Sequence, residues 1–99
     1  MIVKSDNRLN KVNYNDIIYI EGLKEYVRFH LKSGKRLVTL VSLKKMEEEL
    51  PSNFMRIHRS FIVNKNMVIS LYGNMVEIDN KRLDIGKTYK EKVLKQLFK

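Results

Sequence analysis

His58 and Ser60 stand two positions apart, which would place them on one face of an extended segment, as a base and a nucleophile would need to be. A working pair also needs a third group to orient the base and donors for an oxyanion, and nothing in the chain marks either. His30 is the only other histidine, and cysteine is absent, so metal-ligand clusters, disulfides and thiol chemistry have no residues to use. No phosphate-cradling glycine loop, dinucleotide fingerprint or acid–base carboxylate pair occurs. The expectation is a protein that is not an enzyme and that carries no cofactor and no metal.

The same segment can do a different chemistry. Phe54-Met55-Arg56-Ile57-His58-Arg59-Ser60-Phe61-Ile62-Val63-Asn64 sets two arginines, a histidine and a hydroxyl between apolar anchors. Anchors of that kind pin a backbone and project the polar side chains at fixed angles. A guanidinium can grip a phosphate or a guanine edge with two parallel bonds, and a hydroxyl can meet a phosphate oxygen. A structural reading stands beside it, in which one arginine pairs with a carboxylate and His58 is a satisfied buried polar group. Residue chemistry alone leaves both open.

Charge favours a polyanionic partner. The chain carries 20 Lys and Arg against 11 Asp and Glu, a net charge of +9. By position the balance is +1 for residues 1–20, +3 for 21–40, +1 for 41–60, −1 for 61–80 and +5 for 81–99. Two basic blocks separated by a near-neutral stretch would concentrate nucleic acid and release its counterions. The competing reading is a lysine-rich surface that serves solubility.

The elements that must position these groups are mostly strands. Residues 3–12 alternate weakly and begin with a short strand. Ile17-Ile18-Tyr19-Ile20 has the β-branched and aromatic content of a buried strand, and residues 21–25 break it as a loop. From Tyr26 to Lys32, Val27, Phe29 and Leu31 share one face while Arg28, His30 and Lys32 share a wet, basic one. Ser33-Gly34-Lys35 turns the chain into a partner strand over 36–41. Ser42 caps a short helix with Leu43, Met46 and Leu50 on its buried side, Glu47 to Glu49 outside, and Pro51 at its end. Residues 54–60 fit neither a helical nor a strand period. Gly73-Asn74 joins two strands, and Asn80-Lys81 turns into a last one over 82–85. Thr88-Tyr89-Lys90-Glu91 has the pattern of a capping box, followed by a helix burying Tyr89, Val93 and Leu97.

A length of 99 residues suits a single domain, 1–99, and the composition, 43% hydrophobic and 31% charged, suits a folded one. No apolar run is long enough to span a bilayer and the first ten residues do not resemble a secretion signal, so a cytoplasmic setting and no membrane partner are expected.

From Val12 to Phe98 the chain resembles the LytTR family of DNA-binding domains. The resemblance is carried by Ile17-Ile18-Tyr19-Ile20-Glu21-Gly22 with Tyr26-Val27-Arg28, then Ser42-Leu43-Lys44-Lys45-Met46-Glu47 and Leu50-Pro51. The eleven residues from Phe54 to Asn64 are its strongest part, and Ile85-Gly86-Lys87-Thr88-Tyr89 closes it. It implies a mainly β, elongated arrangement of short antiparallel sheets with one short internal helix and a C-terminal helix. It also implies sequence-specific binding of double-stranded DNA through loops set in successive major grooves, as the output domain of a bacterial two-component response regulator. The DNA-binding residues carried over are Lys24, Glu25, Tyr26 and Arg28 in and beside the first loop, Arg59 and Ser60 in the second, and Lys87, Tyr89 and Lys90 in the third. Arg56 and His58 are expected to support the second loop from beneath. Lys87 departs from the arginine common in the family, and a lysine offers a point charge where arginine offers a planar fork.

Implied partners are DNA with repeated half-sites, an upstream receiver domain and its histidine kinase, with a possible dimer on DNA. The receiver is expected to lie outside this chain, which reads as a fragment or a free-standing regulator. The alternative is a basic β-rich module for RNA or single strands, with Tyr26 and Tyr89 as stacking platforms. A surface for an acidic protein is a third reading.

Overall fold

β-branched and aromatic runs cut by short polar turns give ten strands and two helices in a computed structural model that describes all 99 residues. In chain order they are β1 (Ile2–Ser5), β2 (Arg8–Lys11), β3 (Ile17–Leu23), β4 (Tyr26–Leu31) and β5 (Arg36–Thr39), then helix α1 (Leu43–Glu49). After it come β6 (Phe54–His58), β7 (Phe61–Asn64), β8 (Val68–Tyr72), β9 (Met75–Ile78), β10 (Lys81–Asp84) and helix α2 (Lys90–Leu97). They form a β1–β2 hairpin, a five-stranded sheet ordered β5-β4-β3-β7-β6 and a three-stranded sheet ordered β10-β9-β8. All pairings are antiparallel, and the molecule measures 41 × 24 × 21 Å. The mainly β, elongated architecture with two short helices is as expected.

Each face of the five-stranded sheet carries its own core. One holds Ile17, Ile20, Val27, Phe29, Leu37, Phe54 and Ile62 against Leu43 and Met46 of α1 and Val3 and Val12 of the N-terminal segment. The other holds Ile18, Tyr19, Met55, Ile57 and Val63 against Val76, Ile78 and Leu83 of the small sheet, Ile85 just after it and Val93 of α2. Neighbouring residues therefore enter different cores, Phe54 and Ile62 one, Met55 and Val63 the other. That is why Phe54, Met55 and Ile57, and residues 61–63, are apolar without alternation: a strand covered on both sides has little wet face. A register shift between Arg56 and His58 adds to the effect in β6.

The two cores also account for His30. A wet face was expected there, but His30 is only 8% exposed and lies parallel to the Tyr19 ring at a centroid distance of 4.0 Å. Asn64, at the end of β7, is the other buried polar side chain that ties elements together. Its Nδ2 donates to the Ile17 carbonyl at 3.0 Å, and its Oδ1 accepts from the Asn66 amide at 3.1 Å.

Local chemistry sets the ends of several elements. Ser42 Oγ accepts from the Lys45 amide at 3.1 Å and starts α1, as its position indicated. Gly73, with φ of +59°, turns β8 into β9. The short strand expected at the start of residues 3–12 is β1, and it pairs with β2 in a hairpin closed by Asp6 and Asn7 at φ of +53° and +60°. Two expectations are corrected. The β9–β10 turn is Asp79-Asn80, both at positive φ, one residue earlier than expected, so β10 is residues 81–84. The capping box does not form, because residues 87–89 make a 3-10 turn and α2 begins only at Lys90, without a side-chain cap.

Candidate nucleic-acid interface

The first predicted element is tighter than a five-residue loop. The β3–β4 ladder runs through Glu21↔Arg28 and Gly22↔Val27 to Leu23↔Tyr26, leaving Lys24 and Glu25 as a two-residue turn. Lys24 bends the chain with φ of +59°. Gly22 lies against α1, where a Cβ would be in van der Waals contact with Leu43, 3.4 Å from its Cδ2. Lys24, Glu25 and Tyr26 are exposed at the tip. Arg28 is not at the tip. It lies on the sheet surface, its Nη1 3.1 Å from Glu21 Oε1, which also meets His30 Nε2 at 3.1 Å. Burial pushes the His30 imidazole below the ordinary histidine range, and the Glu21 carboxylate partly opposes that shift. Burial likewise raises the Tyr19 hydroxyl, so the stacked pair is neutral at pH 7.

The second element is the turn Arg59-Ser60, closed by His58↔Phe61. His58 Nδ1 accepts from the Ser60 amide at 3.0 Å, which assigns the unprotonated nitrogen to the turn. Arg56 lies under it and is nearly spent on the protein itself. Its Nε donates to the His58 carbonyl at 3.2 Å, Nη2 to the Arg59 carbonyl at 2.7 Å and Nη1 to Glu47 Oε1 at 3.1 Å. The two readings of the central segment thus divide between two arginines. Arg56 pairs with a carboxylate and, with His58, supports the turn, while the Arg59 side chain is exposed and without a partner.

The third element follows β10. The Gly86 amide donates to the Ile57 carbonyl at 2.7 Å, and the Tyr89 amide returns to the Gly86 carbonyl at 2.9 Å. A Cβ on Gly86 would lie 2.9 Å from Tyr89 Cδ2 and 3.4 Å from the His58 Cα, so a larger residue there would have to displace the Tyr89 ring. Lys87 projects into solvent without a partner. Tyr89 is half-buried against the second core, and Lys90 Nζ donates to Asn74 Oδ1 at 2.6 Å.

Two backbone hydrogen bonds join the three elements. Gly22 N to Ser60 O, 2.8 Å, links the first to the second, and Gly86 N to Ile57 O, 2.7 Å, links the second to the third. Lys24, Glu25 and Tyr26, then Arg59 and Ser60, then Lys87, Tyr89 and Lys90 are therefore brought to one end of the sheet. The basic blocks are there only in part, through Lys24 of the first and Lys87 and Lys90 of the second. Lys32, Lys35 and Arg36 of the first block lie around the far end of the β4–β5 hairpin, where Lys35, Arg36, Asp79 and Lys81 line a cleft of 80 Å³. The six residues of β4 separate the two ends by roughly 20 Å. Charge summed along the chain therefore overstates what the interface holds.

Asn74 is the residue at this end that sequence reasoning missed. Gly73-Asn74 was legible as a hairpin turn, but no local signal placed that turn beside Lys90.

The family model of the LytTr DNA-binding domain matches residues 7–98. No curated protein sequence matches the chain. Among solved structures, a LytTr DNA-binding domain from Bacillus cereus, described as part of a methyl-accepting/DNA response regulator, has the same fold. It superposes with a TM-score of 0.86 at 24% identity, over 100% of this chain and 96% of the other. The matched family is defined by DNA binding and not by catalysis, and no helix is long and apolar enough to cross a membrane. With two antiparallel sheets around two cores, three turns gathered at one end and a family match over nearly its whole length, the chain belongs to the LytTr DNA-binding domain family.

Proposed function

We propose that this domain recognises specific sequences in double-stranded DNA through the turns at Lys24-Glu25, Arg59-Ser60 and Lys87–Tyr89, set along successive major grooves. The observation that carries this reading is the pair of backbone bonds, Gly22 to Ser60 and Gly86 to Ile57, that hold the turns side by side. Rigid placement of that kind is what base readout demands, because a contact loose by an ångström loses its discrimination. Arg59 is the base-reading residue, free at a turn whose backbone Arg56 and His58 hold. Lys24 and Glu25 read from the first turn, with Tyr26 beside them. Lys87 and Lys90 neutralise phosphates, and Ser60 donates to one. Arg28 acts inside the hairpin through Glu21.

The Bacillus cereus relative, a DNA-binding domain of a response regulator, supports a place at the output end of such a regulator; a receiver domain and a histidine kinase upstream and a cytoplasmic site of action complete the proposal. Repeated half-sites would seat two copies. Of the two stacking candidates for a single-strand platform, Tyr89 is packed against the core and only Tyr26 stays exposed, at the tip of the first turn.

Selection from a pool of random duplexes by the purified domain tests the proposal. An enriched half-site repeated at whole helical turns is expected, with affinity falling by roughly two to three orders of magnitude between 50 and 200 mM salt if about 4–6 phosphates are neutralised. No enrichment, or preference for unpaired oligonucleotide at equal salt, contradicts it.

A further inference from the structure

Asn74 belongs to none of the three turns, yet both ends of its side chain are committed to the third. Its Nδ2 donates to the Ile85 carbonyl at 3.0 Å, and its Oδ1 accepts from Lys90 Nζ at 2.6 Å. The Asn74 main-chain oxygen also accepts from the Ile85 amide at 3.0 Å. The bond to the Ile85 carbonyl fixes which way the amide faces, since only the nitrogen can donate there. The oxygen is then left pointing at the ammonium.

We propose that Asn74 is a positioning residue for DNA recognition, acting by aiming the Lys90 ammonium at the duplex. This rests on the reading above, in which Lys90 meets a phosphate. A free lysine side chain samples many rotamers, and ordering it on binding costs conformational entropy. A neutral amide lowers that cost without cancelling the charge. It takes one of the three ammonium protons and leaves two for a phosphate. A carboxylate in its place would hold the lysine more tightly and neutralise it as well, so asparagine and aspartate should behave oppositely here. The pair is exposed to solvent, which limits the effect to a several-fold one.

A double-mutant cycle tests this. Asn74→Ala, Lys90→Ala, the double variant and Asn74→Asp are compared with the unmodified domain by fluorescence anisotropy on a selected duplex, at 50, 100 and 200 mM salt. Urea unfolding is followed in parallel. Asn74→Ala should weaken binding by roughly 3–10-fold with the salt slope unchanged, because the cation count is unchanged. Lys90→Ala should weaken binding and lower the slope by about 1. The double variant should bind within about twofold of Lys90→Ala, since Asn74 has nothing left to aim. Asn74→Asp should weaken binding more than Asn74→Ala and lower the slope. Additive losses in the double variant would overturn the proposal, because Asn74 would then act independently of Lys90. Unchanged affinity in Asn74→Ala overturns it as well. Arg59→Ala separates the two levels. If it weakens binding while Lys90→Ala does not, this inference fails and the interface stands; if neither matters, the interface itself is wrong.

Discussion

The guanidinium of Arg56 closes on the carbonyl oxygen of Arg59 at 2.7 Å, so that one arginine fixes the backbone from which the other projects. Two residues of one type, three apart, hold opposite positions: Arg56 has three partners within the protein and Arg59 none. An arginine count cannot tell them apart, whereas the fold does so through β6, whose end lies beside Glu47 of α1.

Arg56→Ala should therefore injure both stability and binding. It removes charge-assisted bonds to two carbonyls and a carboxylate, and a loss of about 1–3 kcal/mol in urea unfolding is expected. Arg56→Lys should recover only part of it, because an ammonium cannot span the His58 and Arg59 carbonyls as a planar fork does. Binding to the selected duplex should fall about tenfold in Arg56→Ala although the side chain touches no DNA. An Arg56→Ala protein of unchanged stability and affinity would remove the support assigned to it.

Gly86→Ala tests the close approach at the third turn. The added methyl meets the Tyr89 ring at 2.9 Å and the His58 backbone at 3.4 Å, and overpacking of this kind costs about 1–3 kcal/mol. Most of that strain comes from the ring, so Gly86→Ala should cost less in a Tyr89→Ala background than alone. Equal costs in both backgrounds would place the strain in the backbone.

His30 gives the domain a pH dependence of defined sign. Its imidazole titrates below the ordinary histidine value of the unfolded chain, so near and below pH 6.5 the unfolded state binds more protons than the folded one. Its contribution is complete above the unfolded pKa and is lost as pH falls through the folded one. The urea midpoint should thus decline from about pH 7.5 to 5.5, and His30→Phe, which can still stack on Tyr19, should flatten that decline. Glu77 acts at lower pH. Its carboxyl is held below the usual range first by Ser70 and then by Arg82, so its contribution is present above the ordinary glutamate value and lost under it. A midpoint insensitive to pH between 7.5 and 5.5 would show that His30 titrates as a free imidazole.

Much of the fold was legible where local chemistry and tertiary structure agree. The Ser42 cap, the Gly73-Asn74 turn, the buried strand at Ile17 and the amphipathic ends around Phe29 and Val93 could all be seen in the sequence. Legibility failed where a distant element decides. Nothing within a few residues of His30 indicates that the small sheet covers its face of the central sheet. The missing alternation in β6 is the trace of two cores, read without knowing that there were two. Lys24 takes a positive φ without being glycine, which hid a tight turn inside an apparent loop. Thr88 carried a helix-start pattern, but the contact of Gly86 with Ile57 fixes the chain earlier and leaves a 3-10 turn there. At the site, the three turns singled out in the sequence lie side by side, joined through Gly22–Ser60 and Gly86–Ile57, with Arg28 away from them on the sheet surface, while the charge blocks also count cations that lie at the other end.

Photo-cross-linking tests the shared contact end most directly. A benzophenone side chain is placed in turn at Lys24, Arg59 and Lys87, and at Lys35 beyond the other end of β4, each bound to the selected duplex. The account predicts cross-links from the first three, at successive positions along the DNA, and none from Lys35. Cross-linking from Lys35 as strong as from Arg59, or none from Arg59, would contradict it.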